Sequence, residues 1–409
     1  MEVGTTLEMM RETAAYRLEL VPMDQVSPDL LNKWRAFLED HSQGSPMLDP
    51  IWLQEHIATG NSQISVYFLL RGDSLAGFVP VLLSDSQVKC QLGEIGVRSF
   101  PVRRMTLLGS GGLFPEDNSA YEMLFRHLSA QKERFDALYL DNVPTDSFLW
   151  KFLETNPQVH KALTRYVPER PAARLLLHLE GSFESYMARF SSKHRQTLRR
   201  KVRKFQDLAP GETLPVCFTR PDQVEAFIEQ AVEISRKTYQ WQLLGQGLRD
   251  AAKLKRHLLF LAQHGWLRSY LLVCKGKPCA FVTGFQYGSR YYLDDMGFDP
   301  AWRDYSVGTV LQVGIIEDLF QNNRPKVYDL GEYGTHKEEF ATLNYLQGKV
   351  FLFRPGVYGS LVKTAHRLCN ASTAAVSSVV DRFGLKKRLK KLIRMSSSET
   401  SSGSPTQQQ

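Results

Sequence analysis

The sequence predicts an α/β protein with mixed sheets, organised as two tandem units, and three observations carry this. Its 409 residues exceed the ~250–300 at which a single core stops growing. Short β-rich runs alternate with amphipathic helical stretches along most of the chain. The same hairpin also occurs twice, as SVYFLLRGDSLAGFVPVLL from Ser65 and SYLLVCKGKPCAFVTGF from Ser269. Each copy has a basic-Gly turn (Arg71-Gly72, Lys275-Gly276) with an alanine four residues past the glycine, Ala76 and Ala280. A fold-level duplication accounts for this, although strand, turn and strand is a common arrangement by itself.

In the first unit, 16–165, helical spacing at 28–39 is followed by strands at 64–70, 77–83 and 105–108 and a helix over 119–132. The apolar run ALYLDNV then suits a buried strand ending near Pro144. Two prolines in 166–173 mark the divide. The second unit, 166–355, reads as a strand at 174–179, helices over 182–205, 221–239 and 250–264, strands at 267–274, 278–287 and 290–298, a helix over 307–321 and a strand at 326–331. The third segment, 356–409, turns Ala/Ser/Val-rich, runs GLKKRLKKLIRM and ends in a polar tail of disordered composition.

Hydrophobic residues make up 43% and charged residues 23% of the chain, the mix of a globular protein. Five scattered cysteines without metal spacing read as reduced core residues, with no metal expected. The N-terminus lacks the basic and apolar regions of a secretory signal, and no apolar run reaches ~18 residues. A cytoplasmic protein is expected, one able to touch the inner face of a membrane. The net charge of +8 suits an anionic partner: nucleic acid, lipid or a phosphorylated ligand. No nucleic-acid recognition motif accompanies it.

The most informative stretch is YYLDDMGFDPAWRDYSVGTVLQVGIIEDLF, from Tyr291 to Phe320. A strand ends at Gly297-Phe298 and a helix begins near Val307. Arg303, Ser306, Gly308 and Thr309 lie at the junction, where backbone N–H groups and the helix dipole favour an anion such as a pyrophosphate. Most such junctions merely cap a helix, and the plainer alternative is a helix start with Ser306 as N-cap.

Four pieces, SSKHRQTLRRKVRKF, KGKPCAFVTGFQYGSRYYL, GFDPAWRDYSVGTVL and VYDLGEYGTHKEEF, resemble the CelD/BcsL-like (FemAB-like) acyl-CoA transferases of the GNAT superfamily, proteins associated with exopolysaccharide synthesis. The resemblance covers 183–353 and extends more weakly into the first half, through SPMLDPIWLQEH and LLGSGG. It implies tandem GNAT-like domains, the first without an acyl-CoA site. It also implies a sheet whose central strands splay, so that the pantetheine of an acyl-CoA, expected to be acetyl-CoA, bonds the edge at Met296, Gly297 and Phe298. The pyrophosphate would rest on Arg303, Ser306, Val307, Gly308 and Thr309. Val307 stands where the family has Pro.

Transfer to an amine needs a proton acceptor and a group that steadies negative charge. Asp294, Asp295 and Asp329 are the strand carboxylates in position. Adjacent strand residues face opposite sides, so only one of Asp294 and Asp295 is expected in the site, and Asp294 and Asp329 are the favoured pair. Lys337 matches the lysine after the family's Asp-x-Gly strand, with Glu332 and His336 beside it. An ion pair of Lys337 with Glu338 or Glu339 is the plainer alternative.

Arg195, Arg199 and Arg203 recur at helical spacing beside the apolar Leu198, Val202 and Phe205, a face suited to phosphate or carboxylate or merely solvated. Tyr239 and Trp241 offer an aromatic platform for a sugar ring or belong to the core. The implied acceptor is an amine-bearing sugar, nucleotide-linked or lipid-linked. At 385–394, leucines and lysines share an amphipathic pattern that suits an anionic membrane surface. Two further readings stay open: a non-catalytic scaffold of a polysaccharide machine, and an aminoacyl transferase of FemAB type.

Overall fold

The computed structural model describes residues 15–41, 45–59, 63–92, 95–208, 210, 215–238, 241, 247–322 and 325–382. The chain divides into two units, Met1–Pro171 with Leu346–Ser377, and Ala172–Tyr345 with the residues from Ser378 on. The divide thus falls a few residues later than the sequence suggests.

The first series of elements is β1 (Tyr16–Pro22), α1 (Pro28–Asp40), α2 (Pro50–Thr59), β2 (Gln63–Arg71), β3 (Ser74–Leu92), β4 (Ile95–Leu107), α3 (Asn118–Ala130), β5 (Ala137–Pro144), α4 (Phe148–Thr155), α5 (Pro157–Ala162) and β6 (Thr164–Tyr166). The second is β7 (Ala172–His178), α6 (Phe183–Ala188), α7 (Ser192–Gln206), β8 (Val216–Phe218), α8 (Val224–Arg236), α9 (Ala251–Gln263), β9 (Ser269–Cys274), β10 (Lys277–Tyr287), β11 (Arg290–Phe298), α10 (Val307–Gln321), β12 (Val327–Glu332) and α11 (Thr335–Glu338). Then come β13 (Leu343–Phe353) and α12 (Val357–Arg382).

Each unit repeats one strand pattern, which supports the duplication read from the hairpins. The first unit runs β1-β2-β3-β4-β5-β13 and the second β8-β9-β10-β11-β12-β7. In both, one neighbouring pair is parallel, β4 with β5 and β11 with β12. A crossover helix, α3 or α10, joins each parallel pair, as parallel strands require. The turns themselves differ: Lys275 (φ 50°) and Gly276 (φ 72°) form the second loop, both left-handed, whereas in the first Arg71 still pairs with Ser74 and only Gly72 (φ 59°) is left-handed.

One boundary needs correction. Residues 346–353 follow the second series in sequence but belong to the first unit, because β13 pairs antiparallel with β5 and β6. Conversely β7 directly follows the first series and pairs with β12. Periodicity identifies a strand but not its neighbour, so sequence order alone misplaces β13.

α10 is the centre of the second unit. Nine of its residues are buried, including Leu311, Ile315 and Ile316, and they pack with Leu198 and Phe205 of α7 and with Tyr270, Val282, Tyr291 and Tyr328 of the sheet. A helix apolar nearly all round is expected to be covered on all sides. Its buried Gln312 is satisfied by the Tyr328 hydroxyl at 3.0 Å.

The helix expected over 182–205 is two helices. Ser191 starts α7 by accepting the His194 amide at 3.2 Å, and between the two helices the Arg189 side chain donates to the carbonyls of Ala341 (2.8 Å) and Glu339 (2.9 Å). A local cap wins over continued helix there. The helix expected to reach Tyr239 ends at Arg236. Past Pro355, in the Ala/Ser/Val-rich stretch, α12 docks on the first unit: Val362 is fully buried, and the Tyr358 hydroxyl donates to Pro101 O at 2.6 Å. Asn370 Nδ2 donates to Pro168 O at 2.7 Å. The basic run 385–394 and the polar tail lie outside the described residues. No helix among the described residues is long and apolar enough to cross a membrane.

Candidate functional site

The strands β11 and β12 run together only from Arg290↔Val327 to Tyr292↔Asp329. β11 then continues to Phe298 held by β10 alone, so from residue 293 its other edge faces a widening cleft. This is the splay that the family resemblance implies, with Met296, Gly297 and Phe298 on the open edge. Gly297 is required there, since a Cβ would lie 2.6 Å from the Phe281 ring.

Beyond the strand, a 3₁₀ turn Pro300–Tyr305 leads to Ser306, whose backbone is left-handed (φ 54°). Ser306 occupies the N-cap position of α10, as one reading had it, but its side chain makes no capping bond. Its carbonyl accepts the amides of Thr309 (2.9 Å) and Val310 (3.1 Å). The preceding amides, those of Val307 and Gly308, lie before the first helical bonds and are available to an anion. A Cβ at Gly308 would meet only the Phe298 ring, at 3.7 Å, so this position looks toward the open edge of β11.

α7 brings two lysines to this junction. Lys201 Nζ donates to Thr309 Oγ1 at 3.4 Å, and Lys204 Nζ donates to Asp304 O at 3.0 Å and lies 4.9 Å from the Tyr305 ring centroid. Arg195 instead donates to the carbonyls of Ala188 (3.1 Å) and Phe190 (3.4 Å), while Arg199, Arg203 and Arg303 are exposed. The Arg and Lys residues occupy opposite flanks of the stripe formed by Leu198, Val202 and Phe205. Only packing against α10 decides which flank meets the junction.

The carboxylates also differ from expectation. β10 and β11 change register so that Thr283 faces Asp295 and Gly284 faces Leu293, which leaves Asp294 as the extra residue of a bulge. A bulge interrupts the alternation of faces, so the rule that only one of the two carboxylates can serve the site does not hold. Burial raises the pKa of both, and the Asp294 charge raises Asp295 further. Asp294 still reaches solvent, whereas Asp295 accepts the Met296 amide at 2.7 Å.

Asp329 is locked. Only 1% of its side chain is accessible. Its oxygens accept from Arg174 Nε, at 2.9 Å each, from Arg290 at 3.3 Å and from the Gly331 amide at 3.0 Å. A carboxylate with both oxygens engaged by cations is a poor proton acceptor, so a base at Asp329 does not fit this geometry. Arg174 and Arg290 went unnoticed in the sequence because they lie on β7 and β11, the neighbours of β12 on either side.

Lys337 turns away from the acids beside it in sequence. Glu338 accepts from the Tyr333 hydroxyl at 2.8 Å, and Glu339 lies 3.4 Å from His194. The Lys337 Nζ sits 3.6 Å from where a Gly331 Cβ would be, and burial lowers its pKa against the opposing pull of Asp329. Burial also lowers the pKa of His336; Glu332 is exposed at the end of β12. Trp241 lies with its ring centroid 5.0 Å from the Arg249 guanidinium, and Tyr239 lies outside the described residues.

The raised Asp295 pKa has a testable sign. The unfolded chain loses this proton near 3.8, the folded chain at higher pH, so wild-type stability falls as pH rises through that window. Asp295→Asn keeps an acceptor for the Met296 amide but removes the titration. Urea midpoints should therefore shift in favour of the variant between pH 4 and pH 7, and a difference that stays constant over that range would contradict the assignment.

Residues 192–340 match the family model of the acetyltransferase (GNAT) domain. The second unit thus carries an acyltransferase domain of GNAT type, and acyl-CoA is the co-substrate that this fold implies. No curated protein matches the chain. Among solved structures it is similar to FemX, with 13% identity over 82% of this chain and 98% of that one, at a TM-score of 0.56. L-PGS from Bacillus licheniformis aligns with 12% identity over 85% and 98% of the two chains, TM-score 0.46. A tandem GNAT protein from the clavulanic acid biosynthesis pathway aligns with 13% identity over 83% and 100%, TM-score 0.46. The likeness to FemX shows a shared fold.

Proposed function

We propose that this chain is an acyl-CoA-dependent N-acyltransferase, moving an acyl group, acetyl by expectation, to the amine of an amino sugar. The observation that carries this reading is one continuous path. It runs from the bulge at Asp294, along the open edge of β11, to the Val307 and Gly308 amides flanked by Lys201 and Lys204. Backbone groups on that edge match the amides of pantetheine, and the helix start with its lysines matches a pyrophosphate.

The bound co-substrate supplies an activated thioester; the residues of the chain do the rest. Asp294, solvent-reaching and with a raised pKa, takes the proton that the acceptor amine loses as its C–N bond forms. Lys337, beside Asp329 and Asp295, steadies the negative charge that passes to sulfur as the C–S bond breaks. Asp329, Arg174 and Arg290 hold the end of β12 from which the Lys337 loop departs. The resemblance to polysaccharide-associated transferases supports a sugar acceptor, nucleotide-linked or lipid-linked.

The first unit is proposed to lack such a site. Where β4 should open, Gly109, Ser110, Gly111 and Gly112 all have positive φ and fold the chain back until Leu113 pairs with Phe78. A side chain at Gly111 would overlap Leu149, so this turn packs directly against α4.

Calorimetric titration with acetyl-CoA and longer acyl-CoAs is the test, expected to give a Kd on the order of micromolar. Absence of binding to every acyl-CoA favours the scaffold reading, and a screen of amino-sugar acceptors for released thiol follows a positive result. The aminoacyl-transfer reading is weaker: FemAB-type enzymes tend to carry a helical coiled-coil arm inserted in the second half, whereas α8 and α9, the described helices between β8 and β9, are 13 residues each.

A further inference from the structure

α7 is cationic from end to end. Its 15 residues hold seven lysines and arginines and no acid, and among the described residues its only ion pair is His194 with Glu339. Leu198, Val202 and Phe205 turn to the core. Lys193 and Arg200, seven residues apart, lie directly opposite that stripe and are exposed. Lys204 continues their row and ends it at the junction, on Asp304 O and beside the Tyr305 ring. Arg199 and Arg203 flank the row and are exposed as well.

The row is longer than a coenzyme can use. From Lys204 to Lys193 the helix runs ~16 Å away from the junction, whereas the pyrophosphate of an acyl-CoA is met by the Val307 and Gly308 amides with Lys201 and Lys204. One further phosphate, on the ribose, does not span the row. A cationic surface of this extent beside a pantetheine cleft matches the other carrier of pantetheine thioesters, a small acidic protein whose acyl group rides on a phosphopantetheine arm.

We propose that the outward face of α7 docks such an acidic carrier protein, so that carrier-bound acyl groups enter the same cleft as acyl-CoA. This rests on the acyltransfer reading above and extends it to a second class of donor. The arm lies along the open edge of β11, its single phosphate takes the Val307 and Gly308 amides, and carboxylates of the carrier meet Lys193, Arg199, Arg200 and Arg203. On transfer the acyl carbon gains its bond to the amine nitrogen and loses its bond to sulfur, and the proton lost by nitrogen ends on sulfur, leaving a free thiol on the carrier. Two other occupants fit less well. Nucleic acid matches the charge but brings no arm for the edge of β11. An anionic bilayer matches it too, yet the apolar residues of α7 all face inward and leave nothing to insert.

The test is calorimetric titration of the full chain with the acetylated carrier protein of fatty-acid synthesis, with its apo form lacking the arm, and with acetyl-CoA. The acetylated carrier should bind, weaken with salt and be displaced by acetyl-CoA, and the apo form should bind about tenfold more weakly. Lys193→Glu with Arg200→Glu should lower carrier affinity by roughly tenfold or more while acetyl-CoA affinity and the melting temperature stay unchanged. Lys193→Gln with Arg200→Gln should give a smaller loss. A carrier that fails to bind where acetyl-CoA binds, or that binds the Glu variant as tightly as the wild type, overturns this proposal alone. Absence of binding to both donors overturns the acyltransfer reading and this proposal with it. Duplex RNA or phosphatidylglycerol vesicles bound in place of the carrier, and released by the same substitutions, would also overturn it and reassign the face.

Discussion

Replacing Gly308 by Glu should cost at least ~100-fold in acyl-CoA affinity, about 2.7 kcal/mol, while the protein folds as well as before. Position 308 is the second residue of α10, where an acidic side chain suits the helix dipole and Glu is a better helix former than Gly. The added Cβ meets only the Phe298 ring, at ordinary contact distance. Yet the new carboxylate lies where a phosphate would need the Val307 and Gly308 amides, so ligand binding and folding should move in opposite directions. Calorimetry and a thermal melt on the same sample check this. Affinity within threefold of the wild type would place the phosphate elsewhere.

Arg174→Met should destabilise the fold by about 3 kcal/mol. Methionine fills much of the arginine stem but leaves the Asp329 carboxylate, 1% accessible, with only Arg290 and the Gly331 amide to hold it. Breaking a buried pair costs more than the pair contributes, because the remaining charge cannot reach water. Adding Asp329→Asn should therefore restore part of the loss. Urea denaturation of both variants measures it: a loss below ~1 kcal/mol for Arg174→Met, or no recovery in the double variant, would mean that solvent already screens Asp329.

Much of the site was legible before any coordinates. The junction from Met296 to Thr309 stands out because a β-rich run passes into an apolar helix through a short polar loop; the start of α10 lies where that pattern puts it, and the open strand edge where the family resemblance implied it. Lys337 was singled out, and it does turn inward. The arginine stripe of α7 was equally visible, but its positions 195, 199 and 203 share a flank that faces away from the junction, and Lys201 and Lys204 were passed over. Periodicity identifies the buried stripe of a helix without saying what lies on either side of it.

By itself, the sequence determined the main strands and helices of both units, the doubling of the hairpin and the chemistry available at each strand end. These follow from neighbouring residues, through hydrophobic spacing, turn residues and caps. Tertiary structure alone decided that β13 returns to the first unit, that a register change places Asp294 and Asp295 at one bulge, and that Arg174 and Arg290 close on Asp329. Those facts depend on pairing between strands remote in sequence. Such pairing is chosen by the packing of whole sheet faces, and it leaves no periodic trace in either strand.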